Sequence, residues 1–402
     1  MARENLTGIN VVHAFNAEKY QNDKFDIPSK EMMNTQLKNQ RMFALMMPVM
    51  NIGMNGLTLA IYWLGAVLIQ QIALTAVQDR ITLFSNVVVF STYATYVVMS
   101  FMMLVMIFMM LPAAQVSAER INEVLDAERP DLVVFTGDVV YAAPADTAMR
   151  TVLACASSRK LPFAVTFGNH DNEQGKTHAE LYDIIRSMPY NIQPDRGTVE
   201  SPDYVLVVKS SDGKKDASVL YCLDSHSYSK LPDVKGYDWL TFDQVNWYRQ
   251  QSAAFTAKND GKPLPALAFF HIPLPEYNEA ASDENAILYG TRMEKACAPA
   301  INTGMFAAMK EAGDVMGTFV GHDHDNDYSV MWKGIVLAYG RFTGGNTEYN
   351  HLSNGARVIV LKEGERTFTS WIHLKGGELI DKTVYPDSYV KDDWRKRPLV
   401  ME

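Results

Sequence analysis

At 402 residues the chain is long enough for two or three domains, and its formal charge of −9, with no long basic run, argues against nucleic-acid binding. Its three cysteines, Cys155, Cys222 and Cys297, show neither paired nor zinc-finger spacing, so no disulfide framework is expected. No secretory leader is expected either, because Glu4, His13, Glu18 and Lys19 interrupt any apolar run at the start.

Composition is uneven: 14 of the 22 methionines lie before residue 111, which marks off a separate first segment. Residues 42–78 carry no charge, and residues 81–118 again carry none. A bilayer core needs about 20 apolar helical residues, so spans are expected at about 43–70 and 82–111. Asp79-Arg80 between them reads as a tight turn in water. Two buried helices of a soluble core are the alternative, but such helices keep a polar face and these are apolar all round. Lys19, Lys24, Lys30, Lys38 and Arg41 precede the first span, and Arg120 and Arg129 follow the second. The positive-inside bias then predicts both ends, and whatever follows, on the cytoplasmic side of an inner membrane.

The string Arg3-Glu4-Asn5-Leu6-Thr7-Gly8-Ile9-Asn10-Val11-Val12-His13-Ala14-Phe15-Asn16-Ala17-Glu18, with Tyr62-Trp63-Leu64-Gly65-Ala66, Pro112-Ala113-Ala114 and Ser117-Ala118-Glu119-Arg120-Ile121, resembles the region around the last two transmembrane helices of an ABC exporter. The resemblance covers about residues 1–127 and implies a helical partner within the membrane. It departs from that family in lacking the first four helices and the ATPase domain. No Gly-x-x-x-x-Gly-Lys-Ser/Thr loop occurs to cradle nucleotide phosphates, so transport driven by this chain alone is not expected.

After Pro130 the pattern changes to alternating strands and helices. Strands are expected at 132–136 and 163–167, with helices at 145–158 and 177–187. Alternating apolar residues mark strands at 204–209 and 217–223, and 242–257 is an amphipathic helix. Strands at 267–270, 315–320 and 335–339 and a hairpin at 356–362/367–373 complete a β-rich second half. This order implies an α/β domain of two packed sheets flanked by helices.

Four strings sit where these strands run out: Gly137-Asp138, Gly168-Asn169-His170-Asp171, the lone His271, and Gly321-His322-Asp323-His324. Sheets of this kind gather ligands in the loops at strand carboxyl ends, so Asp, Asn and His side chains could meet there around divalent metal. In order, the strings resemble the calcineurin-like metallophosphoesterases, including the purple acid phosphatase branch, over about residues 129–402. That resemblance implies a four-layer α-β-β-α sandwich and hydrolysis of phosphomonoesters or related phosphoesters by metal-bound hydroxide, with two ions of the Mn, Fe or Zn kind. It implies that Asp138 bridges the two metals, that Asn169, His271 and His322 complete the ligand set of the second metal, and that His324 binds the first metal. His170 would approach the substrate and protonate the leaving oxygen, with Asp171 orienting its ring.

Each residue has a plainer reading. Gly137-Asp138 could be a simple turn, and His271, between Phe269-Phe270 and Pro273, a capped core histidine. His226 could line the cleft or sit on the surface, and Arg341 could reach phosphate or serve a structural ion pair. Asp323, Asp325 and Asp327 read as solvated loop charges.

The family pattern opens with an Asp-x-His on an earlier strand, supplying two ligands to the first metal. No Asp-x-His precedes Asp138, and the apolar helices stand where it would be. The first site is therefore expected to keep only Asp138 and His324, activity to be weak or absent, and at most one metal to be held tightly. A missing strand also leaves backbone groups unpaired. Residues 118–128 suit both resemblances and are the expected junction of a chimera. If the fusion is an artefact, the resemblance to the phosphoesterases implies an exported domain. The alternatives are a transporter remnant without its ATPase, and a non-catalytic, membrane-tethered metal-binding protein.

Overall fold

The computed structural model describes residues 18–344 and 351–391, and divides the chain into two compact units, Met1–Met109 and Met110–Glu402. The stretch from Arg3 to Ala17 in the exporter-like string lies outside the described residues.

The first unit holds α1 (Glu18–Gln70) and most of α2 (Val77–Glu128). Pro48–Gln70 and Val77–Leu104 are long and apolar enough to cross a membrane, and only 11% and 6% of their most apolar windows are buried. A core helix of a soluble domain would hide most of that surface, so the exposure of Leu59, Trp63, Phe90 and Tyr93 matches a lipid-facing role. The turn is not at Asp79-Arg80. It occupies residues 71–76, and Asp79 falls in the first turn of α2, where a carboxylate complements the positive end of the helix. Arg80 Nε reaches back to the Ile69 carbonyl in the last turn of α1 (3.3 Å), which also accepts from the Ile72 amide (3.2 Å). Gly65 lets the two helices approach: a Cβ there would lie 2.7 Å from both Val87 γ-carbons. The hydroxyls of Thr58, Thr82, Thr92, Thr95 and Ser100 each bond the carbonyl four residues back, so these polar groups need no water.

In the second unit, β1 (Val133–Thr136) and β2 (Phe163–Thr166) run parallel, joined through α3 (Ala145–Ser157), and α4 (His178–Arg186) follows β2. A seven-stranded mixed sheet comes next. Its strands are β3 (Tyr204–Lys209), β4 (Asp216–Cys222), β5 (Ala266–Phe269), β6 (Leu288–Tyr289), β7 (Val315–Val320), β8 (Ser329–Trp332) and β9 (Ile335–Tyr339), in the spatial order β3-β4-β5-β7-β9-β8-β6. Helices α5 (Phe242–Lys258), α6 (Glu276–Ser282) and α7 (Met305–Ala312) connect them. The antiparallel β10 (Gly355–Leu361), β11 (Phe368–Leu374) and β12 (Leu379–Tyr385) end the fold. Of these, α6, α7, β6, β8 and β12 were not expected from periodicity: each is short, or lacks a clear alternation. Helices α4 and α5 start with capping boxes, Thr177 with Glu180 and Thr241 with Gln244.

Alternation along the strands builds four layers. Tyr221, Ala268 and Leu337 face one way, onto Tyr248, Tyr277 and Met309 of α5, α6 and α7. Leu220, Leu267, Phe269 and Val336 face the other way, onto Ala164, Val134 and Phe368 of the smaller sheets. Outside those, Phe163 and Val165 pack on Met149, Leu153, Leu181 and Ile185 of α3 and α4. This is the expected α-β-β-α sandwich. Its inner layer is two separate sheets, β1-β2 and β10-β11-β12. Among the described residues β1 pairs with β2 alone and is half-buried throughout, while β2 is buried at every residue.

The end of α2 is built into this unit. Ile121 and Leu125 pack with Cys155, Val133 and Phe135. Arg159 grips Asp126 with two bonds (2.6 and 2.7 Å), and Glu128 Oε1 accepts from Trp371 Nε1 and His373 Nδ1 on β11 (3.0 and 2.6 Å).

Candidate metal centre

Strands β4, β5, β7 and β9 run parallel, as do β1 and β2, so the loops after β1, β2, β5 and β7 can meet at one end of the sheets. The first of these loops must pass very close to the others. A Cβ on Gly137 (φ +92°) would lie 2.5 Å from His271 Nδ1, and one on Gly168 would lie 2.2 Å from Asp138 Oδ1. Only glycine permits that approach. Asp138 and His322 hold positive φ (51° and 73°), a local cost typical of functional loops.

Among the described residues, the side chains that could together hold a cation are Asp138, His271 and His322, with ligand atoms all within 4.8 Å of one another. His271 Nδ1 donates to the Thr136 carbonyl (2.7 Å), which turns Nε2 toward Asp138 Oδ2 (3.0 Å) and His322 Nδ1 (3.2 Å). A carboxylate and two imidazoles thus point lone pairs at a common space, an arrangement that calls for a proton or a metal between them. Burial works against charge on His271, but the adjacent Asp138 carboxylate outweighs it and raises the pKa. Asp138 is opposed by burial, yet His271 and the His170 amide hold it well below the usual carboxylate range. Burial, then the neighbouring His271, push His322 down to about 3, keeping it in the neutral form a metal binds.

Asn169 is fully buried beside this group. Its Nδ2 donates to the Tyr228 hydroxyl (3.1 Å), while its Oδ1 has no hydrogen-bond partner among the described residues. A buried acceptor is thus left open in the same loop whose His170 amide binds Asp138, and an amide oxygen is a group that can ligate a cation. The backbone N–H of His170 donates to Asp138 Oδ1 (2.9 Å), so the two loops brace each other.

The structure changes some of these expectations and decides others that stood open. Asp171 does not orient the His170 ring: its buried carboxylate accepts from the amides of Asp138, Val140 and Gly168 (3.0, 2.8 and 2.8 Å). Burial and the nearby Asp138 charge push its pKa up, against the pull of those amides. The residue that meets His170 is Glu173, whose Oε2 lies 2.7 Å from Nδ1. Arg341 does not reach toward a substrate. It is 8% exposed and pairs with Asp327, which is 0% exposed and needs a counter-charge. Asp323, Asp325 and Asp327 are buried, not solvated: Asp323 accepts from Tyr339 Oη and the Cys297 amide, and Asp325 pairs with His351. His324 is not one of the three residues whose ligand atoms lie within 4.8 Å of one another, and its ring stacks on Phe342 with centroids 4.8 Å apart. His226 bonds Gln244 Oε1 through Nε2 (3.0 Å), and its backbone N–H donates to Asp224 (2.9 Å), so it shapes the loop after β4.

The aromatic surroundings escaped the sequence reading. Tyr237 sits edge-on to His322 (4.3 Å, 90°), Tyr228 stacks on Tyr237 (5.8 Å), and Tyr141 meets His170 edge-on (5.4 Å). Tyr141 and Glu173 stood near recognised strings, three places after Asp138 and His170 respectively, whereas Tyr228 and Tyr237 did not.

Residues 114–326 match the family model described as calcineurin-like phosphoesterase, a stretch covering more than half of the chain. The chain belongs to that family. Residues 1–101 match the model for the ABC transporter transmembrane region. The phosphoesterase is 32% identical over 274 residues to "Probable inactive purple acid phosphatase 29" of Arabidopsis thaliana, covering 62% of this chain and 69% of the relative. It is 31% identical to "Phosphatase DCR2" of Saccharomyces cerevisiae, covering 64% of this chain and 47% of that protein, so it spans about half of the yeast relative. The exporter-like part is 32% identical over 123 residues to an uncharacterised ABC transporter ATP-binding protein of Mycobacterium tuberculosis, covering 31% of this chain and 20% of that one.

Proposed function

We propose that this phosphoesterase hydrolyses phosphomonoesters or related phosphoesters with one tightly held divalent cation, and that the apolar hairpin tethers it to a membrane. The observation that carries the reading is the meeting of Asp138 Oδ2, His271 Nε2 and His322 Nδ1, with the buried Asn169 Oδ1, which has no hydrogen-bond partner among the described residues, as the fourth candidate donor. These four residues would hold the cation. When bound, it supplies positive charge to phosphate oxygens and lowers the pKa of water toward neutrality. Thr136 fixes the His271 tautomer, so that Nε2 keeps its lone pair toward Asp138. His170, held through Nδ1 by Glu173, can deliver a proton from Nε2 to the leaving oxygen. A single tight site follows from the absence of an Asp-x-His before Asp138, which removes two ligands of the first metal. Turnover is accordingly slow. One relative bears the name of an inactive phosphatase and another that of a phosphatase, so the names leave both outcomes open.

The test uses the full chain in detergent with Mn²⁺ and an aryl phosphate. About one metal per chain is expected, with activity that sediments with membranes before extraction. Asp138→Asn should lower kcat/KM by about 10³-fold or more, because a lost ligand removes several kcal/mol of transition-state stabilisation. An Asp138→Asn rate within twofold of the parent, or two tightly held metals with fast turnover, overturns the reading.

A further inference from the structure

A carboxamide binds a cation through oxygen and never through its NH₂ end, and the two ends have nearly the same size. Something must therefore decide which way the Asn169 amide points. Tyr228 does so from a hairpin 59 residues further along the chain, accepting from Asn169 Nδ2 (3.1 Å). Its own proton is committed elsewhere: Tyr228 Oη donates to Glu173 Oε1 (3.1 Å), and a carboxylate can only accept. The polarity of the chain is thus set at one end, running from Glu173 through Tyr228 to Asn169, and it leaves Oδ1 as the open, buried atom. The other Glu173 oxygen holds His170 Nδ1 (2.7 Å), so one carboxylate governs two neighbouring residues of the loop after β2. Tyr228 is itself anchored. It bridges Tyr237 across an antiparallel pair, flanked by the bonds from Ser229 N to Gly236 O and from Asp238 N to Ser227 O (2.9 and 3.2 Å).

Resting on the metal reading above, we propose that Tyr228, polarised by Glu173, is a positioning residue that locks Asn169 with its carbonyl oxygen toward the Asp138–His271–His322 group. Without the hydroxyl the amide loses its directional partner and turns its NH₂ end inward part of the time. Partners outside the coordination shell typically alter metal affinity by about 10–100-fold when removed.

The experiment is Mn²⁺ binding by calorimetry on the full chain in detergent, which reads affinity without turnover. Tyr228→Phe keeps the ring and its stacking, and should weaken binding by about 10–100-fold. Glu173→Gln should weaken it similarly, since a glutamine NH₂ can donate to the Tyr228 hydroxyl and reverse the chain. Lys235→Ala, an exposed change in the same hairpin, should stay within twofold. Full affinity in both Tyr228→Phe and Glu173→Gln, beside a parent that binds Mn²⁺, overturns the positioning role alone. A parent that binds no Mn²⁺ overturns the metal reading, and this inference with it.

Discussion

The hairpin and the phosphoesterase unit solve opposite problems. In the hairpin the described side chains meet few partners: the spans are 11% and 6% buried, and polar groups close bonds within their own helix. In the phosphoesterase unit several site side chains are fixed by residues far along the chain, as Asp171 is by the amides of Asp138 and Val140 and Asn169 by Tyr228. A segment whose solvent is lipid needs only composition and length. A catalytic end of a sheet needs specific pairs. Composition therefore says nearly everything about the first region and little about the second.

Three substitutions sharpen that contrast. The largest effect belongs to the phosphoesterase unit. His170→Ala should reduce kcat by about 10²–10⁴-fold, as for loss of a general acid, with the metal content unchanged. An unaltered rate would remove His170 from proton transfer.

Next is a buried charge that costs stability. Burial lifts Asp203 to about 6, against its bonds from the Asp224 amide and Gln244 and with the Asp224 charge adding to the lift. The folded state therefore binds a proton more tightly than the unfolded one. Stability is fullest below about pH 4 and declines as pH rises through about 6. Asp203→Asn keeps the accepting oxygen and removes the charge. Urea unfolding should then lose its slope across that window, and stability at pH 7 should rise by up to about 3 kcal/mol. An unchanged slope would contradict the assignment.

The smallest effect tests the hairpin. Gly65→Val pushes a side chain into Val87, whose γ-carbons lie 2.7 Å from the added Cβ position. It should cost the helix pair about 1–3 kcal/mol. The unfolding midpoint of the phosphoesterase unit should not move, because the two are separate compact units. A shift there would break the comparison.

The sequence displayed most of the strand-end strings because glycine next to Asp, Asn or His is a local signal, and Asp138 and His322, each beside such a glycine, share the cation group with the lone His271. The seat of Asp323, Asp325 and Asp327 was hidden, since their partners Tyr339, His351 and Arg341 become neighbours only once β7, β8 and β9 are paired. The same holds for Tyr228 and Asn169, which are joined by folding across 59 residues. The misplaced turn at Asp79-Arg80 has a different origin. Charges suit a helix's first turn as well as a loop, and only the bond from Arg80 to Ile69 distinguishes them.

The last two turns of α2 have a practical consequence. Asn122, Asp126 and Glu128 clasp Arg159, Trp371 and His373, and Leu125 covers Val133 and Phe135, so a water-soluble version cut at residue 129 would bare an oily flank and strand two cationic or imidazole groups without counterparts. Any piece made for crystallisation has to begin upstream of Ile121.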